Sequence, residues 1–135
     1  MSIKFVKVQR NIHTGANPGT RYLARIFRVS NITTEKLAVE ISEATTVSAP
    51  DVLAALKALE IIVSRHILNG EAVKLDILGM FAPGIKATAK TTLAQVDAST
   101  IKRAYCRFYP SPDFMKQLAK ASFEEANLDI TGLQS

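Results

Sequence analysis

Asn69-Gly70-Glu71-Ala72-Val73-Lys74-Leu75-Asp76-Ile77-Leu78-Gly79-Met80-Phe81 is the stretch in which the hydrophobic period of the chain changes from that of a helix to that of a strand. Upstream, Val52, Leu56, Leu59, Val63 and Ile67 recur on one helical stripe, widened by Leu53, Ile61, Ile62 and Leu68, and Asn69-Gly70 supplies a C-terminal stop. Downstream, Val73, Leu75, Ile77, Gly79 and Phe81 alternate with Lys74, Asp76, Leu78 and Met80, the period of a strand. A long helix running through a glycine turn into a strand sets the frame for the rest.

Towards the N-terminus, Ser48 caps the long helix, Pro50 fits its first turn and Asp51 stands three residues after the cap. A shorter helix precedes it. Asn31-Ile32-Thr33-Thr34 offers its cap, Glu35 suits its dipole, Leu37, Ile41 and Ala44 share one face, and Thr45 to Val47 break it. Residues 3–10 and 21–29 are rich in Ile, Phe, Val and Tyr, and the turn-forming stretch Asn11 to Thr20 between them predicts a β-hairpin. The long helix is apolar over so much of its circumference that it needs cover, either from a second chain in a dimer or from this hairpin.

Towards the C-terminus, Pro83 to Ala98 reads as a flexible, basic, Thr-rich arm with Lys86, Thr88 and Lys90 on one alternating face. A second strand follows over Ile101 to Tyr109. Of the alternating set Lys102, Ala104, Cys106 and Phe108, the small and apolar groups are expected to point inward, with Lys102 at the outer end and Cys106 as a small buried hydrophobe. Arg103, Tyr105, Arg107 and Tyr109 point outward, about 7 Å between successive members. Ser111 caps a third, short helix that opens on Pro112, pairs Phe114 with Leu118 and ends near Ala121. From Ser122 the periodicity is weak and Glu124, Glu125 and Asp129 read as an acidic tail, with local packing by Phe123 and Leu128. The expected organisation is a hairpin extension over residues 1–30, one α+β domain over 31–121 and the tail over 122–135.

Charge separates along the same boundaries. The net +5 of the 135 residues divides into +6 over residues 1–30, −3 over 31–84, +5 over 85–120 and −3 beyond. Two basic stretches can focus a positive field on one face, as phosphate backbones require. Of the 135 residues, 39 are Leu, Ile, Val or Phe, which excludes a disordered chain. One cysteine excludes an internal disulfide, and the absence of a Cys/His cluster excludes a zinc finger. No stretch has the apolar length of a signal peptide or a membrane span, so a cytoplasmic chain is expected.

The residues of known catalytic motifs do not converge. Gly79 and Gly84 have the spacing of a phosphate-binding loop, but Ile85 separates Gly84 from Lys86 and a strand pattern surrounds them. His13 falls in a turn, and His66 near the end of the long helix supports the helix dipole. Asn31-Ile32-Thr33 is a glycosylation sequon without a secretory context. No enzyme activity, cofactor or metal is expected.

The succession helix, helix, strand, basic arm, strand, helix from Thr33 to Ala121 resembles the HU/IHF family of bacterial histone-like DNA-binding proteins. Asn69 to Phe81 is similar to its glycine turn, Val-x-Leu strand and Gly-x-Phe closure. Thr45-Val47-Ser48 before Asp51 resembles its helix junction, and Phe108-Tyr109-Pro110-Ser111 its final segment. The chain departs from that pattern in having Ile77-Leu78 where Gly and Phe are usual, no Arg-Asn-Pro at the arm tip, and about 30 residues before the first helix. It is thus closer to HU-like proteins with an N-terminal extension.

The resemblance implies an IHF-like α+β fold with a helical base, a sheet with extended β-arms and a short last helix. It also implies a nucleoid-associated homodimer whose arms embrace double-stranded DNA through the minor groove and backbone. Lys86, Lys90, Lys102, Arg103 and Arg107 are the candidate phosphate contacts, and Tyr105 or Tyr109 would pack against sugars. Without a tip proline, binding is expected to be largely sequence-independent with weak bending. The alternative is an HU-like dimer turned to protein interaction, its Arg-Tyr-Arg-Tyr face meeting acidic protein surfaces. In either case residues 1–30 are an extra basic grip on DNA or sheet edges covering the helical base.

Overall fold

A computed structural model describes residues 1–127 and divides them into two compact units, one of residues 1–31 with 118–127, the other of Ile32–Gln117. In the first, β1 (Ser2–Ile12) pairs antiparallel with β2 (Gly19–Ile26), in register from Phe5 opposite Ile26 to Ile12 opposite Gly19. Alternation sorts β1 and β2 into two faces. Val6, Val8, Arg10, Arg21, Leu23 and Arg25 share one, and Phe5, Lys7, Gln9, Tyr22, Ala24 and Ile26 the other.

In the second unit, α1 (Thr34–Ala44) and α2 (Ala49–Leu68) start as their caps require: Thr33 accepts from the Lys36 amide at 3.2 Å, and Ser48 from the Asp51 amide at 3.4 Å. Thr34 donates to Glu60 at 3.1 Å and Lys57 lies 3.8 Å from Glu35, fixing the start of α1 beside α2. Among the described residues, Ala38 and Val52 are the only buried hydrophobic side chains. Leu37, Val39, Leu59, Ile61 and Ile62 stay exposed, so the helix pair leaves a broad apolar surface open.

The sheet of this unit has the order β3 (Val73–Leu75), β4 (Gly79–Ala87), β5 (Ile101–Pro110), all antiparallel, and α2 reaches β3 and β4. The period-2 stretch from Ala72 to Phe81 is therefore two strands, not one. Asp76 to Leu78 form a turn that hydrophobic alternation conceals, and Gly79 resumes the sheet at φ +147°. A Cβ on Gly79 would collide with the Tyr109 carbonyl oxygen and stand 3.0 Å from Pro110 Cα, so only glycine fits. Nor is Pro83 to Ala98 a uniform arm. Regular pairing carries β4 through Pro83 and Gly84 to Ala87, and two 3-10 turns, Leu93–Gln95 and Ala98–Thr100, lead back into β5.

α3 (Pro112–Leu118) is locked to the β3–β4 turn by Ser111, which is 8% exposed. Its hydroxyl accepts from the Phe114 amide at 3.0 Å and donates to the Ile77 carbonyl, while its amide donates to the Leu78 carbonyl at 2.9 Å. The residues after α3 do not start as a tail. Ser122–Glu125 form β6, parallel to β1, with Glu124 opposite Lys4 and Glu125 opposite Phe5. Charge explains what periodicity missed: Lys4 lies 2.5 Å from Glu124, and Lys7 lies 3.7 Å from Glu125. Phe123 is 70% exposed rather than packed, and Leu128 lies outside the described residues.

Candidate nucleic-acid interface

The register of β3, β4 and β5 assembles one continuous face. Lys74, Met80 and Tyr109 form a row across the three strands, followed by Ala82 with Arg107, Gly84 with Tyr105, and Lys86 with Arg103. The other face carries Val73, Leu75, Phe81 and Phe108, the two phenyl rings 5.0 Å apart between centres and tilted by 43°. Further out on that apolar face, Ile85 and Cys106 are exposed, which corrects the expectation of a buried cysteine.

On the polar face Tyr105 is the one half-buried residue of an otherwise exposed β5. Arg103 and Arg107, two positions before and after it, turn their guanidinium carbons over its ring, 5.7 and 5.3 Å from the centre. The ring leans across β4: a Cβ on Gly84 would stand 2.6 Å from its Cε2 and Cζ and 2.8 Å from its hydroxyl oxygen. Tyr109, by contrast, is 49% exposed. An open depression of about 490 Å³ is lined by Lys86, Arg103, Tyr105 and Arg107 with Ile85 and Cys106.

The electrostatics are one-sided. Lys86 and Arg103 are directly opposed across the strands, an arrangement that costs stability. No carboxylate among the described residues forms an ion pair with Lys86, Arg103 or Arg107. Asp97, six positions before Arg103, accepts from the Ser99 hydroxyl at 2.5 Å and the Ser99 amide at 2.9 Å, and these bonds hold its carboxyl below the ordinary range.

Of the six residues singled out in the sequence, Lys86, Arg103, Tyr105 and Arg107 come together. Lys90 and Lys102 do not join that cluster. Regular alternation stops at Ala87, so Lys90 falls in the following loop, where it lines a separate depression of about 320 Å³ with Thr88, Gln95, Ser99 and Thr100. Pairing passes from Lys86–Arg103 to Ala87–Ile101, which leaves Lys102 as the extra residue of a bulge. Sequence reading missed Gly84, although a glycine inside a strand signals close approach of another group. Sequence reading places Lys74 and Met80 on one side of a strand, but their alignment with Tyr109 depends on strand pairing that the sequence does not display. Among the described residues no group of His, Cys, Asp and Glu gathers as a metal site, and no helix is long and apolar enough to cross a membrane.

A family model described as an HU domain fused to wHTH, Ig or a glycine-rich motif matches residues 1–125. Among solved structures, the chain is similar to one from Bacteroides vulgatus described as a "Putative bacterial DNA binding protein", at 14% identity and a TM-score of 0.65. The match covers 92% of this chain and 47% of the other, so this chain spans about half of that protein's length. No curated protein matches.

Proposed function

Since the chain belongs to the family of HU domains fused to wHTH, Ig or glycine-rich motifs, we propose that it binds double-stranded DNA, largely without sequence preference, through the basic strand pair β4–β5 of a homodimer. One observation carries this reading: Lys86, Arg103 and Arg107 share one sheet face, and no carboxylate among the described residues neutralises any of them. Such a face gains free energy by displacing condensed counterions from phosphates. Phosphate contacts position a protein without reading bases, so the recognised property is backbone geometry and groove shape.

In this reading Lys86, Arg103 and Arg107 neutralise backbone phosphates, Lys90 and Lys102 extend the cationic track towards the 3-10 turns, and the exposed Tyr109 packs against a sugar. Residues 31–121 act as the DNA-binding domain and residues 1–30 as its extension. The second copy covers the apolar helix surface, where Ile61 is 68% exposed and Ile62 42%. Bending is weak, because unstacking a step costs a few kcal/mol and no proline stands at the arm end. A cytoplasmic, nucleoid-associated role follows, with no catalytic step. The description of the Bacteroides vulgatus neighbour as DNA-binding supports the same ligand class.

The test is a salt-titrated binding measurement on the whole chain with linear, nicked and single-stranded DNA and with RNA. Duplex affinity is expected to fall steeply with salt, and Arg103→Glu with Arg107→Glu to abolish it at about 0.15 M salt. Duplex binding unchanged by that reversal would remove the β4–β5 site and leave an acidic protein surface as the ligand of this face.

A further inference from the structure

We propose that Gly84 and Tyr105 form a positioning device that holds Arg103 and Arg107 at a fixed spacing for two backbone phosphates, and that Tyr105 does not itself stack on the nucleic acid. The inference rests on the DNA-binding reading given above and specifies how its site is organised.

Residues four apart on a strand are separated by about 13 Å at the backbone, and arginine side chains at such positions ordinarily sweep many rotamers independently. Here both lean inward onto one ring. With guanidinium carbons 5.7 and 5.3 Å from the ring centre, they lie no more than about 11 Å apart. The ring can serve both only because it is seated across β4, and that seat exists only because position 84 has no side chain. Cations already gathered before the ligand arrives lose less freedom on binding, which is the general advantage of a preorganised site. The same arrangement occupies Tyr105: half-buried, seated over Gly84 and approached by two guanidiniums, it offers less free ring than Tyr109.

The device is tested without removing any charge. Gly84→Ala keeps every basic and aromatic group but fills the seat. Tyr105→Leu removes the ring, and Tyr105→Phe keeps it. For each whole-chain variant, affinity for a linear duplex and the slope of log affinity against log salt are measured, with circular dichroism and thermal unfolding as the check on folding. Gly84→Ala and Tyr105→Leu are expected to lose about tenfold in affinity, the size of two exposed cation–π contacts, and to lower the salt slope as arginines leave their phosphates. Tyr105→Phe is expected to match the parent protein.

Parent-like affinity and slope in folded Tyr105→Leu would overturn the proposal, and so would a large loss in Tyr105→Phe. Should Gly84→Ala fail to fold, the two Tyr105 variants decide alone. Arg103→Gln with Arg107→Gln separates the two levels. If it weakens binding while Tyr105→Leu does not, the device is wrong and the reading stands. If neither has an effect, the arm site itself is wrong.

Discussion

Lys86 and Arg103 face each other directly across β4 and β5, two cations at paired positions that no carboxylate among the described residues bridges. Stability alone favours an opposite charge at one of the two positions. Lys86→Glu is therefore expected to raise unfolding stability by about 0.2–1 kcal/mol while weakening duplex binding. Thermal unfolding and binding measured on the same preparation check both signs.

A second pair of opposed cations, Arg10 and Arg21, belongs to the other unit. Arg21 is partly engaged, donating to the carbonyls of Thr20 and Asn17 at 3.0 and 3.2 Å, whereas no ion pair satisfies Arg10 among the described residues. Arg10→Glu is expected to stabilise the β1–β2 pair by a similar few tenths of a kcal/mol, read as increased amide protection of β2. Duplex affinity that stays constant in this variant would confine the DNA contact to β4–β5.

The surplus apolar surface of the helix pair has an equally direct check. Ile61, 68% exposed on α2, meets the second copy in the proposed dimer. Ile61→Lys is expected to shift sedimentation from dimer to monomer and to reduce duplex affinity, since each dimer carries two arms.

Ser111 joins three segments through one hydroxyl and one amide. Ser111→Ala removes the cap of α3 and the donor to the Ile77 carbonyl, an expected loss of about 0.5–2 kcal/mol. Denaturant titration measures it.

Acid acts on β6. The hydrogen bond from Lys4, reinforced by that from Ser2 and by the Lys4 charge, holds the Glu124 carboxyl below its ordinary 4.5. Glu71 is lowered as well, first by the Asn69 bond and then by His66. A carboxyl with a depressed folded pKa stabilises fully above its unfolded value, and the contribution disappears as pH falls through the folded value. Protection of the β6 amides is expected to be constant above about pH 5 and to decline below 4.5. Hydrogen-exchange protection factors across that range check the sign.

The helices were legible because their caps and stops are local chemistry: Thr33, Ser48, Asn69-Gly70 and Ser111 each act within a few residues. The Arg-Tyr-Arg-Tyr alternation likewise placed Arg103, Tyr105 and Arg107 on one face. What could not be read locally depended on distant partners. The Asp76–Leu78 turn continues the hydrophobic alternation, so only the pairing of Leu75 with Gly79 reveals it. β6 has four residues and no period, and its place is fixed by Lys4 and Lys7 some 120 positions earlier. The role of Gly84 requires knowing that Tyr105 lies opposite, which the register alone supplies.

The parallel pairing of β1 with β6 also dictates an order of events. Ser2 bonds Glu124 across 122 positions of sequence, so the three-stranded sheet cannot close until Glu125 has been made. Contacts of such separation form late, whereas Ile32–Gln117 are continuous in the chain and complete before β6 exists. During synthesis the unit of α1, α2 and the β3–β4–β5 sheet therefore matures first, with β1 and β2 held open as an unfinished sheet. A substitution that slows the closure of β6 would prolong exposure of the free β1 edge, a template for pairing with other chains, and would appear as aggregation during expression rather than as lost affinity in the folded protein.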